Sequence, residues 1–164
     1  MALRQILTEG DPTLNAVCRP VTNFDDRLHE LLDDMRETLK KANGLGLAAP
    51  QVGIRRRAVL VTDKNENVVE LINPVLVKRD GEQTDLEGCL SVPGMYGEVT
   101  RPNHVIVRAQ DRNGKMFQLE GTAMTARCCC HELEHLDGHL FTEHTKRLYS
   151  MAELDAMAAE EEKR

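Results

Sequence analysis

Tryptophan is absent, and Tyr and Phe together supply only 3% of the 164 residues. The core must therefore be aliphatic, built from Leu, Val, Ile, Ala and Met. No apolar run approaches the roughly 20 residues that a membrane-spanning helix needs. The opening Met1-Ala2-Leu3-Arg4-Gln5 begins neither an apolar secretory run nor an Arg- and Ser-rich transit segment, so a cytoplasmic location is expected. Basic charge is in deficit: 21 Lys and Arg against 27 Asp and Glu give a net charge of -6. That argues against a nucleic acid gripped over a broad surface, though it leaves room for a small local basic patch. A disulfide framework is also missing. The five cysteines, Cys18, Cys89, Cys128, Cys129 and Cys130, are odd in number with three adjacent, which reads as reduced thiols.

What is present fits one domain with one core. Phe24, Leu28, Leu31, Leu32, Met35 and Leu39 recur at helical spacing. Asn23 is the expected cap, and Asn43-Gly44 the expected end. Gly44-Leu45-Gly46-Leu47-Ala48-Ala49-Pro50-Gln51 is small and flexible, and Pro50 argues against a helix there. Ala58-Asp63, Val68-Ile72 and Val75-Val77 read as strands, with Lys64-Asn67 as a turn. Val105-Ala109 and Lys115-Glu120 read as a hairpin around Asn113-Gly114. Ser150-Met151-Ala152-Glu153 is a capping-box pattern opening a last, acidic helix over about 150–164, whose end Glu160-Arg164 is expected to be frayed. The order of helix, strands and two helices predicts an α+β single domain spanning 1–164.

The chemistry centres on His131-Glu132-Leu133-Glu134-His135, an H-E-x-x-H pattern. Thr122 or Thr125 is expected to start its helix and Gly138 to end it. On a helix, residues four apart share a face, so both imidazoles can reach one metal ion, with Glu132 beside them to take a proton from a bound water. A catalytic site of this kind needs a third protein ligand and one open position. One zinc-protease pattern places a His six residues after the second, where this chain has Phe141. His139 and His144 are off spacing and read as surface residues. Glu143, Glu153 and the acidic tail are the only downstream carboxylates available for a second protease pattern. Upstream, Glu87-Gly88-Cys89-Leu90-Ser91-Val92-Pro93-Gly94 reads as a polar segment between strands. Cys89 is there either a third ligand or a small buried hydrophobe.

Three segments, in order, resemble the peptide deformylase family: Gly44 to Gln51, Glu87-Gly88-Cys89-Leu90-Ser91, and His131 to Gly138. Asp11-Pro12 and Arg19-Pro20-Val21 are similar to that family's opening, so the likeness covers roughly residues 1–145. It implies antiparallel or mixed sheets around a central metal-binding helix. It also implies Cys89, His131 and His135 as metal ligands, with Fe²⁺ the expected ion and Zn²⁺, Ni²⁺ or Co²⁺ able to replace it. Glu132 becomes general base and then acid, while the Gln51 amide and the Leu90 N–H stabilise the oxyanion. The implied substrate is the N-formylmethionyl end of a new polypeptide, bound as an added strand with formate released. Gly46 would let its backbone lie against the substrate. Leu45, Met124 and Cys128 are candidates for the methionine pocket, since Met124, Cys128, His131 and His135 follow at steps of 4, 3 and 4. A zinc endopeptidase, and a binding module with a structural metal, are the rival readings.

The chain departs from that family in four places. Cys130 stands where a Gln is usual, and Glu134 where Asp is more frequent. Arg127 replaces an apolar residue and is expected to reach solvent, or else to narrow the pocket mouth with its stem. Cys129 is expected in the core, and Cys128, one turn before His131, is expected to be an oxidation-sensitive pocket thiol. The acidic run Glu160-Glu161-Glu162 disfavours a ribosome contact through the last helix. A monomer is expected, with neither a membrane nor a specific nucleic acid as partner.

Overall fold

The structure, a computed structural model, describes residues 2–163. Met1 and Arg164, the outermost residues of the two terminal segments read above, lie outside them. Helix α1 (Asp26–Ala42) forms where the apolar stripe lies. Its cap is Asp25 rather than Asn23: the Asp25 carboxylate accepts from the Leu28 N–H at 3.1 Å. That carboxylate satisfies a free N–H and also meets the positive end of the helix. Asn43 closes α1 in the left-handed region, at φ 54°.

The chain continues through β1 (Gly46–Ala48), β2 (Ala58–Thr62), β3 (Val68–Asp80), β4 (Gln83–Cys89), β5 (Val92–Arg101), β6 (His104–Gln110) and β7 (Met116–Thr122). Helix α2 (Ala123–Leu136), β8 (Tyr149–Ser150) and α3 (Met151–Glu162) follow. Two sheets result, one ordered β1-β2-β3-β6-β7 and one ordered β4-β5-β8. All their strand pairs are antiparallel.

Strand periodicity divides the core. Successive side chains point to opposite faces. Leu47, Ala58, Leu60 and Ile72 therefore face the α1 stripe of Leu28, Leu31, Leu32, Met35 and Leu39. Ala48, Val59, Val61 and Leu71 face Ala126, Cys128, Cys129 and Leu136 of α2. The larger sheet is thus covered on both faces, and α2 is held by its inner one.

Several expectations are corrected. β3 is one strand rather than two. Asn73, at φ 52°, makes a bulge between Ile72 and Val75, and its side chain bonds Val21 and Gln110. The side chain supplies the partners that the bulge removes from the ladder. Ala49–Val52 forms one 3₁₀ turn where no helix is expected. Proline suits the first turn of such a helix, because the N–H it lacks has no intrahelical partner there. The segment Glu87–Gly94 is mostly strand, with β4 running through Cys89 and turning at once into β5. Its buried polar residues, Glu87 and Ser91, break the alternation that a hydrophobicity reading needs to see a strand.

Thr122 precedes α2 without a capping bond from its side chain. Gly138, at φ 83°, follows its end and lies so close to Asn15 that an added Cβ would sit 2.6 Å from the Asn15 carbonyl. The capping box opening α3 forms as expected. Glu160–Glu162 stay helical rather than frayed, and all three are exposed. No helix among the described residues is long and apolar enough to cross a membrane.

Candidate metal centre

Helix α2 brings His131 and His135 to one face, and the end of β4 brings Cys89 against them. The three ligand atoms lie within 4.8 Å of one another. Cys89 Sγ stands 3.4 Å from His135 Nε2. A tetrahedral ion with Zn–S near 2.3 Å and Zn–N near 2.05 Å sets that edge at about 3.6 Å, so the spacing suits a shared cation. The donor set, one thiolate sulfur and two imidazoles, suits Zn²⁺ or Fe²⁺.

His131 is oriented by what lies behind it, whereas buried His135 Nδ1 has no hydrogen-bond partner. His131 Nδ1 donates to Glu87 Oε2 at 2.7 Å, which leaves Nε2 free to face Cys89. Burial lowers the His131 pKa, but hydrogen bonds to Cys89 and Glu87 overcome that and hold it well above the usual imidazole range. Burial, reinforced by the charges of His131 and Arg101, keeps His135 far below that range and neutral, as a ligand must be. Phe141, the residue that closed the third-histidine pattern, stacks on His131 at 6.1 Å between ring centroids.

Glu87 is the hub. Arg101 donates to it through Nε at 3.1 Å and Nη2 at 2.6 Å, and Arg127 through Nη1 at 2.9 Å. Burial would raise its pKa, but the bonds from His131 and Arg101 outweigh this and bring it to about 2. Arg101 also pairs with Glu134, which accepts from His144 Nε2 at 2.7 Å. Arg127 is therefore buried in an ion pair and does not reach solvent. A charge this deep persists only when paired, and Glu87 is the pair that a sequence reading does not supply. His139 and His144 are exposed, as expected.

Glu132 is 4% exposed, and its Oε1 has no hydrogen-bond partner. Burial raises its pKa to about 7, against the lowering effect of His131. An unpartnered buried carboxylate beside a metal set is aimed at something the fold does not provide, such as a water or substrate proton. Gly46 explains how the strand comes so near: a Cβ there would lie 2.5 Å from Glu132 Oε2 and 2.9 Å from Cys128 Sγ.

Gln51, on the 3₁₀ turn, is held by the residue that precedes the turn, since its Oε1 accepts from the Ala48 N–H at 2.9 Å. Its NH₂ group then points to Ser91 Oγ at 3.0 Å and Cys89 Sγ at 3.6 Å. A cavity of about 470 Å³ opens over these groups, with Gly46, Gln51, Cys89, Leu90, His131 and Glu132 in its lining. Leu45 and Met124 also border it and are half exposed, which places them at the mouth. Cys128 lines its inner wall, where its thiol donates to the Leu45 carbonyl at 3.4 Å. Cys129 is fully buried and Cys130 nearly so.

Glu87, Arg101 and Ser91 carry no role in the sequence reading, and Arg127 has none as a partner of Glu87. A signal for Glu87 was present: residues two apart on a strand share a face, so a Cys89 that meets His135 carries Glu87 towards the same helix.

A covered H-E-x-x-H helix with a thiolate donor from a strand, over an open cleft, defines a metal-dependent hydrolase. The sequence matches the polypeptide deformylase family over residues 3–151. The peptide deformylase of Agathobacter rectalis is 54% identical over 143 residues, covering 87% of this chain and 90% of that one. That of Caldicellulosiruptor bescii is 50% identical over 155 residues, covering 94% and 93%. The crystal structure of peptide deformylase from Thermotoga maritima superposes with a TM-score of 0.86 at 34% identity, covering 90% and 100%. The chain belongs to the polypeptide deformylase family.

Proposed function

We propose that the chain is a peptide deformylase, hydrolysing the N-formyl group from the initiator methionine of new polypeptides and releasing formate. The observation that carries the reading is the buried, unpartnered Glu132 carboxylate beside the Cys89, His131 and His135 donors. Cys89, His131 and His135 would hold a divalent cation, Fe²⁺ in the cell and replaceable by Zn²⁺, Ni²⁺ or Co²⁺, which would supply Lewis acidity to the hydrolysis.

The side chains do the rest. Glu132 takes the proton from the attacking water and returns it to the departing amine. Burial raises its pKa above that of an ordinary carboxyl, which favours its taking and returning a proton. The Gln51 NH₂ group and the Leu90 N–H meet the oxyanion developing at the formyl carbon. Gln51 is ready for this because Ala48 already holds its other end, so little reorganisation is needed at the moment of reaction.

The substrate is bound as an extended strand. β1 and β4 are both edge strands, and the cavity is bordered by Leu45 and Gly46 on one side and Leu86 and Gly88 on the other. A peptide between them finds free backbone groups on each flank. Leu45, Met124 and Cys128 offer apolar contact to the methionine side chain. We place the reaction in the cytoplasm, on a monomer, where the five free thiols stay reduced.

The test is formate release from formyl-Met-Ala-Ser by the metal-loaded protein and its Glu132→Gln variant, with metal content measured in both. The expected result is turnover that falls at least about 100-fold in the variant while the metal is kept. Cleavage of internal casein bonds with the formyl group left intact would establish the endopeptidase instead.

A further inference from the structure

Away from the active site, a groove of about 570 Å³ runs between the N-terminal segment, the start of α1 and the segment after the 3₁₀ turn. Arg4, Arg19, Arg27, Arg55 and Arg56 line it, against the two acids Asp25 and Glu30, which leaves a local balance of +3 on a chain of net -6. Arg4 is paired with Asp34. Among the described residues Arg19, Arg27, Arg55 and Arg56 are exposed and make no ion pair. The Asp25 carboxylate is already engaged at the α1 cap.

The backbone forces this charge together. Arg19 and Arg56 are β-bridge partners. The Arg19 N–H donates to the Arg55 carbonyl at 3.1 Å, and the Arg57 N–H to the Arg19 carbonyl at 3.0 Å. Like charges held side by side repel, and among the described residues neither guanidinium has an ion-pair partner, with only Asp25 and Glu30 as acids in the lining. An external anion would offset the repulsion. Guanidinium forks match phosphate oxygens two at a time.

We propose that this groove docks the phosphate backbone of RNA. No aromatic residue lines it, so it has no platform for stacking bases, and contact is with the backbone. Thr22 and Asn23 on its wall add neutral groups suited to a 2′-hydroxyl. A concave groove accepts a ridge of phosphates, whereas a bilayer surface is flat. The contact is independent of the hydrolytic reaction, and it lies apart from the acidic α3.

The experiment is binding of a duplex RNA of about 20 base pairs to the metal-loaded full chain, followed by fluorescence anisotropy across a salt series. Four arginine–phosphate contacts predict a slope of log K against log salt near -3.6, or a loss of about 150-fold between 50 and 200 mM salt. Arg19→Gln/Arg56→Gln should lower the slope by about 1.8 and leave formate release unchanged. Arg19→Glu/Arg56→Glu should abolish binding. The proposal is overturned if there is no binding at 50 mM salt or if binding is unaltered in both double variants. Equal affinity for a DNA duplex, or stronger capture on phosphatidylglycerol vesicles, also overturns it. Loss of formate release in an RNA-binding wild-type chain would count only against the deformylase reading.

Discussion

Glu87 Oε2 lies 2.7 Å from His131 Nδ1, so a carboxylate held by two arginines orients a metal ligand from behind. Glu87→Gln keeps the shape but removes the charge that both guanidiniums and the imidazole share. Metal affinity should fall by about 10- to 100-fold, measured by competition with a chromophoric chelator. Affinity within twofold of the parent would show that Glu87 only fills space.

Gly46→Ala tests the closeness of β1 to the reacting carboxylate. The new Cβ would meet Glu132 Oε2 at 2.5 Å, so either the strand or Glu132 must move. A displacement near 1 Å should lower kcat for formyl-Met-Ala-Ser on the order of 100-fold, with Tm little changed. An unchanged kcat would mean that Glu132 has slack.

Cys128 is expected from sequence to be an oxidation-sensitive pocket thiol; it does line the cavity, but its surroundings argue against reactivity. Burial, followed by the Glu132 charge, pushes its thiol pKa well above the ordinary value, and the thiol donates to Leu45. A thiol kept protonated is a poor nucleophile. Cys128→Ser should therefore leave the rate of peroxide inactivation unchanged, and a clear slowing would restore the sequence expectation.

Glu70 ties α1 to the sheet, accepting from Arg36 at 2.7 Å and Arg112 at 2.6 Å. Burial would raise its pKa, but the bonds from Arg112 and Arg36 leave it below 4.5. A carboxyl depressed in the folded state stabilises the protein above its unfolded pKa, and that stability is lost as pH falls through the folded value. Glu70→Gln should cost about 1–3 kcal/mol at pH 7 by urea titration. The gap from the parent should narrow below pH 4.5, and a gap constant with pH would exclude the ion pairs as its source.

Much of the fold was legible because periodicity is local. The α1 stripe, the β6–β7 hairpin and the capping box of α3 each lie within one short stretch. Errors fell where a partner distant in sequence decides. β3 continues past Pro74 because Asn73 borrows partners from Val21 and Gln110, and β4 forms with an exposed polar face because β5 supplies its ladder. Arg127 reads as a solvent-seeking residue until Glu87, 40 residues away, is placed against it.

By itself the sequence determined the donor types. The H-E-x-x-H spacing puts two imidazoles and a carboxylate on one helix turn, and the ordered motifs supply a thiol and an amide. Only the tertiary structure decided how they stand: Cys89 beside His135, Glu87 behind His131, Glu132 buried and unpartnered, and Arg19 opposed to Arg56. Helical and strand periods fix neighbours a few residues apart, whereas desolvation and charge pairing depend on what the fold brings in from elsewhere.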